Sequence, residues 1–373
     1  PAGEQAERLR AIGMGVEGDG VLAVTVPTFR PDLARDVDLI EEVARLAGFD
    51  RVPSTVPSGL AGGLEREQIA ERSMRRALAG FGLREAWTPS FSSPLELDAL
   101  GLPASHPARA LVELANPTSE EEPALRSTLL PGLLRAAARN TRRGAAGVAL
   151  FEIARIYEPS PEQLAHEPLV LGAVCCGERR PGDWIREGAR WEFFALKGVL
   201  EATLEALRLP PLSWEPLEEF PWHPTRAARL VGDEAVGALG EVHPDVCERF
   251  DVPAGAVALE VRVAPLFAAL PERPQVAELP RLPPLLMDVA VVVDESVPAR
   301  VVEEVIRSSG APEVRALRLF DVYRGEQVGE GHKSLAYALE LRSPERTLTD
   351  DEANAVRARI VTALRAIGGD LRA

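Results

Sequence analysis

Between Arg30 and Asp50 the sequence reads RPDLARDVDLIEEVARLAGFD, and its acids are spaced for a shared task. Asp38, Glu41 and Glu42 stand at i, i+3 and i+4, so on a helix their side chains share one face. Asp32 lies where that helix is expected to begin and can approach the same point. Four carboxylates at one place repel one another unless a cation or an arginine neutralises them. Oxygen-only ligands suit a hard ion, magnesium or calcium. The same acids also have a purely structural use. Asp36 or Asp38 can cap the helix, Glu41 can complete a capping box, and acids favour a first helical turn.

Two further groups of residues stand out. One runs Asn116-Pro117-Thr118-Ser119, Leu125-Arg126-Ser127-Thr128-Leu129-Leu130-Pro131-Gly132-Leu133-Leu134, Asn140, and Leu150-Phe151-Glu152-Ile153. The other runs Leu319-Phe320-Asp321-Val322-Tyr323-Arg324-Gly325, Gly331-His332-Lys333-Ser334-Leu335-Ala336, and Arg346-Thr347-Leu348-Thr349-Asp350-Asp351-Glu352. In the latter, Thr349 and Glu352 have the spacing of a capping box, and Phe320 and Tyr323 can be core. His223, His243 and Cys247 fit no zinc spacing and read as turn and strand-end residues. His332 beside Ser334 is no triad, and there is no P-loop or G-x-G-x-x-G. Lys197 reads as a solvated helix lysine.

The elements that must position these residues follow from periodicity and breakers. Residues 1–12 read as the tail of a helix and Val21–Val26 as a strand, with a helix from Asp32 that Gly48 stops. Pro53–Gly63 reads as a linker before a helix from Glu65 to about Ala79. Helices are expected at Leu130–Arg143 and Phe194–Leu207. Strands are expected at Val148–Tyr157, Leu169–Cys175, Ala227–Val231, Ala235–Leu239 and Ala256–Val263. This is a mixed, largely antiparallel sheet with helices against it, the α+β pattern. Pro271–Pro284 reads as a second linker. The last stretch predicts strand (Asp288–Val293), helix (Pro298–Ser308), strand (Val314–Tyr323), strand (Lys333–Leu341), helix (Asp350–Ile367) and short strand (Asp370–Arg372), the βαββαβ order of a ferredoxin-like domain.

Composition narrows the function classes. The 373 residues suggest two or three domains. A net charge of −15 argues against a broad electrostatic grip on nucleic acid or an anionic membrane. From Arg281 onward 13 basic and 15 acidic residues give −2, leaving −13 for the rest, so any nucleic-acid contact belongs in the C-terminal part. Three cysteines, two of them adjacent, imply no disulfide framework and fit a reducing cytoplasm. No apolar run approaches the ~20 residues of a membrane span. No signal peptide is visible, and Pro1-Ala-Gly-Glu reads as a fragment boundary or a processed end.

The string VTVPTFRPDLARDVDLIEEVARLAGFDRVP closely resembles a signature of the beta subunit of bacterial phenylalanyl-tRNA synthetase. The resemblance runs from about Val21 to Arg372, with the three groups in the family's order. It implies that Asp32, Asp38, Glu41 and Glu42 serve a magnesium ion shared with the alpha subunit. The second group resembles the family's catalytic-like module and echoes motif 2 of class II synthetases, where an arginine and a glutamate grip ATP and the substrate amine. A working class II site also needs a glycine-rich motif ending in an arginine. Here Gly237-Ala-Leu-Gly240-Glu-Val-His243-Pro244 has none, so catalysis on this chain is not expected. Ala154 stands where glycine is usual. Lys197-Gly198 and His223-Pro224-x-Arg226 also match family segments. The third group resembles the anticodon-binding domain, which makes Tyr323, Arg324, Lys333, Arg342 and Arg346 candidates for tRNA contact by stacking and phosphate pairing. Met287-Asp288 stands where the family shows Arg-Asp, a cation lost.

The resemblance therefore implies three parts. Residues 1–57 would be the C-terminal part of a small α+β domain with the acidic helix. Residues 58–275 would be a catalytically inactive class II synthetase-like module, and 276–373 a ferredoxin-like anticodon-binding domain. It implies an (alpha-beta)2 heterotetramer in the cytoplasm that charges tRNA-Phe, with ATP bound on alpha and this chain a non-catalytic ligase part. Two rivals are a free-standing truncated paralogue binding RNA or protein, and a regulatory module whose ferredoxin-like domain binds a small molecule.

Overall fold

The computed structural model describes residues 1–56, 58–59, 62–162, 164–273, 281–343 and 345–371. The chain divides into two compact units, Pro1–Leu270 and Pro271–Ala373. The first opens with α1 (Ala2–Ala11), the hairpin β1 (Gly15–Glu17) and β2 (Ala23–Thr25), and α2 (Asp36–Ala47). Ala6, Leu9, Met14 and Val16 form their own small core, against which Leu33, Leu39 and Val43 pack.

The expected helix start is corrected. α2 begins at Asp36, not Asp32, and its N-cap is Arg35 in extended backbone. Asp38, at the third helical position, accepts from the Ala34 and Arg35 amides at 3.0 and 2.8 Å. These two amides would otherwise be orphans at the helix end, so the carboxylate that meets them sets the boundary. Neither Asp36 nor Asp38 is the N-cap, and Glu41 takes no part in the capping box.

The unit continues through α3 (Arg66–Gly80), β3 (Arg84–Glu85), β4 (Phe91–Ser92), α4 (Pro94–Ala99), β5 (Val112–Glu113), β6 (Ala124–Leu125), α5 (Leu130–Arg142), β7 (Gly147–Arg155), β8 (Leu169–Arg180), β9 (Ala189–Arg190), α6 (Phe193–Ala206), β10 (Ser213–Pro216), β11 (Trp222–Val231), β12 (Ala235–Val242), α7 (Pro244–Phe250), β13 (Val257–Arg262) and α8 (Val263–Ala268). An eight-stranded sheet in the order β10-β11-β12-β13-β8-β7-β3, with β9 beside β8, organises it. Its pairs are antiparallel except β3 with β7.

The central strands are apolar on both sides because helices cover both sides. Along β8, Leu171, Ala173 and Cys175 join a core with Met74 and Leu78 of α3 and Leu196 and Leu200 of α6. Val170, Val174 and Cys176 alternate to the other face and join Leu133 and Leu134 of α5 and Val246 of α7. Each fully buried leucine contributes about 1.5–3 kcal/mol. All three cysteines are free and buried.

The second unit is β14 (Leu285–Asp294), α9 (Ala299–Ser309), β15 (Val314–Tyr323), β16 (His332–Leu341), α10 (Asp350–Arg365) and β17 (Asp370–Leu371), the βαββαβ order that the sequence predicts. Its antiparallel sheet runs β15-β16-β14-β17. Val289, Val291, Val293, Leu335 and Leu339 face Val302, Ile306, Val356 and Ile360 of the helices. The Thr349–Glu352 capping box opens α10 as expected. The final expected strand residue, Arg372, and parts of both expected linkers lie outside the described residues. Among those described, no helix is long and apolar enough to cross a membrane.

Candidate functional site

The acidic segment is neutralised by arginines. Arg30 reaches Asp32 at 2.7 Å and Glu42 at 2.8 Å through the same nitrogen, so one guanidinium bridges the two acids. Arg45 closes on the other oxygen of Glu42, which is buried. Arg35 Nη2 donates to Asp38 Oδ1 at 2.9 Å. Glu41 is exposed and makes no ion pair among the described residues.

The electrostatics follow from this pairing. Hydrogen bonds from Arg35 and from the two backbone amides hold the Asp38 carboxyl down at about 2. Arg30 depresses Asp32, and Arg30 with Arg45 depresses Glu42. The acids expected to share one face are thus split. Asp32 and Glu42 meet on Arg30, Asp38 turns to Arg35, and Glu41 stands alone. Among the described residues no three His, Cys, Asp or Glu side chains form a group able to hold a metal ion. The donor set is all oxygen and chemically suits magnesium. To reach Asp32 and Glu42 together, an ion has to displace Arg30.

In the second group Arg126 is buried. Its Nη1 donates to Glu152 Oε1 at 3.0 Å and to Thr88 Oγ1 at 2.9 Å, and its Nε to the Arg155 carbonyl at 3.1 Å. Thr88 in turn donates to Glu152 Oε2 at 2.6 Å. The arginine and glutamate that echo a substrate grip hold each other instead. The glycines of Gly237–Gly240 serve strand packing. A Cβ on Gly237 would strike the Glu260 carbonyl oxygen, and one on Gly240 would sit 2.5 Å from Ala227 Cβ. His243 caps α7, accepting from the Asp245 amide, and His223 accepts from the Thr225 amide, ordinary turn roles as expected. Lys197 differs from its expected solvated state. It pairs with Glu201 and lies 4.9 Å over the Trp214 ring.

In the third group the candidate residues divide between the two ends of the β15–β16 pair. Tyr323 pairs with Ser334, and Arg324 and Lys333 lie beside them. Arg324 makes a fork to Glu295 with a shortest contact of 2.8 Å, and Lys333, buried, donates to the Glu295 carbonyl at 2.7 Å. At the other end Arg342 pairs with Glu340 and Arg346 with Glu352. Ten residues of strand separate the ends, roughly 30 Å at about 3.3 Å per residue.

Phe320 is not core but 48% exposed, and it stands outside the set of contact candidates. The register shifts between Leu319 and Asp321, which makes Phe320 the extra residue of a bulge. Strict alternation could not reveal that.

Three family models match in sequence order. The tRNA synthetase B5 domain matches residues 1–49, the phenylalanyl tRNA synthetase beta chain CLM domain 52–263, and the ferredoxin-fold anticodon binding domain 280–372. Among curated proteins, the phenylalanine–tRNA ligase beta subunit of Symbiobacterium thermophilum is 42% identical over 99% of this chain and 42% of its own length. That of Moorella thermoacetica is 42% identical over 98% of this chain and 46% of its own, and that of Nocardia farcinica 40% over 100% and 48%. The chain thus spans under half the length of these relatives. Because the CLM match alone covers more than half of its residues, the chain belongs to the phenylalanyl-tRNA synthetase beta-chain family.

Proposed function

We propose that this chain is a non-catalytic part of a phenylalanine–tRNA ligase beta subunit that supports an alpha subunit and positions tRNA-Phe. The observation that carries this reading is the unbroken order of three matching domains from residue 1 to 372. The locked Arg126–Glu152 pair supports the non-catalytic part of it, since the arginine of a substrate grip has to be free to meet a ligand. On this reading residues 1–57 belong to a small α+β domain. Residues 58–275 are a class II synthetase-like module that activates nothing itself, and 276–373 is the anticodon-binding domain. Assembly is an (alpha-beta)2 heterotetramer in the cytoplasm, with ATP on alpha. Asp32, Asp38, Glu41 and Glu42 would hold magnesium at the subunit contact, where the ion would take the place of Arg30 between Asp32 and Glu42.

The test mixes the full chain with an alpha subunit from the same organism and follows size-exclusion elution with and without magnesium. A stable hetero-oligomer is expected; its absence removes the subunit reading. Glu41 makes no ion pair among the described residues, so Glu41→Ala isolates the metal role. Loss of the magnesium effect in that variant supports the metal assignment, and an unchanged effect removes Glu41 from it.

A further inference from the structure

We propose that the cleft beside Glu260 binds a small organic amine with an apolar or aromatic body, its ammonium seated on the Glu260 carboxylate. The cleft has a volume of about 670 Å³, within the range of small-molecule sites. Leu102, Ile156, Val170, Phe220, Trp222 and Val236 supply its apolar wall. Phe220 is held in place by the His243 ring, centroid to centroid 4.5 Å.

The charges lining it are unequal. Glu158 is met by Arg262, and Glu219 by Arg229 at 3.3 Å. Glu260 has no ion-pair partner among the described residues. It accepts from Thr128 Oγ1 at 2.6 Å and from the Leu129 amide at 2.8 Å, both on Oε2. Its cross-strand neighbours are Gly172 and Ala238, which leave room beside a long acidic side chain. Burial pushes its carboxyl upward, against the hydrogen bonds from Thr128 and the Leu129 amide and the charge of nearby Arg262.

An ammonium supplies the missing countercharge, and Trp222 and Phe220 offer aromatic surface to a cation or a ring. An anionic ligand meets three carboxylates and two guanidinium groups that are already paired. The inference does not depend on the subunit reading, since the cleft lies wholly within the first unit.

The experiment titrates 2-phenylethylamine, and 3-phenylpropionate as the control of opposite charge, into the full chain, followed by ligand-observed NMR. Saturable binding of the amine, at least about tenfold tighter than the acid, is expected. Glu260→Gln keeps an oxygen for Thr128 and Leu129, so the fold is retained while the charge is lost. It should erase the preference for the amine. Ala238→Leu should exclude both probes. Absence of saturable amine binding, equal binding of both probes, or an undiminished preference in Glu260→Gln each overturns the proposal.

Discussion

Arg126 and Glu152 are 7% and 5% exposed at their side chains, so neither charge has water to fall back on. Removing one partner of such a pair strands the other, at about 3–5 kcal/mol, whereas replacing both with apolar groups of similar volume is far milder. Arg126→Met should therefore lower the stability of the chain by about that amount in urea. The double variant Arg126→Met with Glu152→Met should recover most of the loss. A loss in the double variant equal to the sum of the two single losses would mean that the pair is not a coupled unit. Asp38 offers a second test at this scale. Its carboxyl is held at about 2, below the ~3.9 of an unfolded aspartate. A depressed carboxyl contributes stability that is present above ~3.9 and lost as pH falls toward the folded value. Carboxyl NMR should show Asp38 titrating near 2, and Arg35→Ala should move it upward. An unmoved titration would mean that the Ala34 and Arg35 amides alone set it.

At the level of elements, two glycines separate backbone need from partner need. Gly237 in β12 lies against β13, and a Cβ there would strike the Glu260 carbonyl oxygen and lie 2.7 Å from Val261 Cα. Gly237→Ala should cost about 1–3 kcal/mol by forcing the strands apart. Gly198 lies in the interior of α6, and a Cβ at that position would meet nothing within 4 Å. It stands one turn from Phe194, which is 73% exposed. Gly198→Ala should stabilise the free chain by roughly 0.5–1 kcal/mol. If it also weakens the proposed complex with an alpha subunit, the Phe194–Gly198 face belongs to that partner; if the complex forms undiminished, that face lies outside the contact. The elements themselves were largely legible. α5, α6 and five strands of the large sheet, β7, β8, β11, β12 and β13, fall where periodicity puts them, because their apolar residues must meet a two-sided core; β3, β9 and β10 lie outside those expectations. The two-residue strands β4, β5 and β6 were not legible, since so short a segment carries no period. Nor were pairings such as Thr128 with Glu260, because side-chain partners 132 residues apart leave no trace in local spacing. The acidic helix shows the same limit. Its spacing displayed the carboxylates but not the arginines that divide them.

For the whole molecule, charge decides how RNA can be held. The chain carries −15, and the tRNA-contact candidates of the C-terminal unit are already engaged. Arg324 is forked on Glu295, Arg342 pairs with Glu340, and Arg346 pairs with Glu352. A phosphate must compete with a carboxylate for each guanidinium, and the two ends of the β15–β16 pair lie too far apart to act on one nucleotide. An anticodon stem-loop should therefore bind the full chain weakly. Its salt dependence should be shallow, with a slope of about −1.4 to −2.1 corresponding to two or three phosphates. Removing a competitor should help. Glu295→Gln releases Arg324, and Glu352→Gln releases Arg346. Each should tighten binding and steepen the slope by about 0.7, one phosphate's worth. The two ends can be told apart in this way. A gain with Glu295→Gln alone places the RNA at the Tyr323 end of the sheet, and a gain with Glu352→Gln alone places it at the Arg346 end. No gain with either means that the ion pairs persist for stability and that RNA is held elsewhere in the assembly.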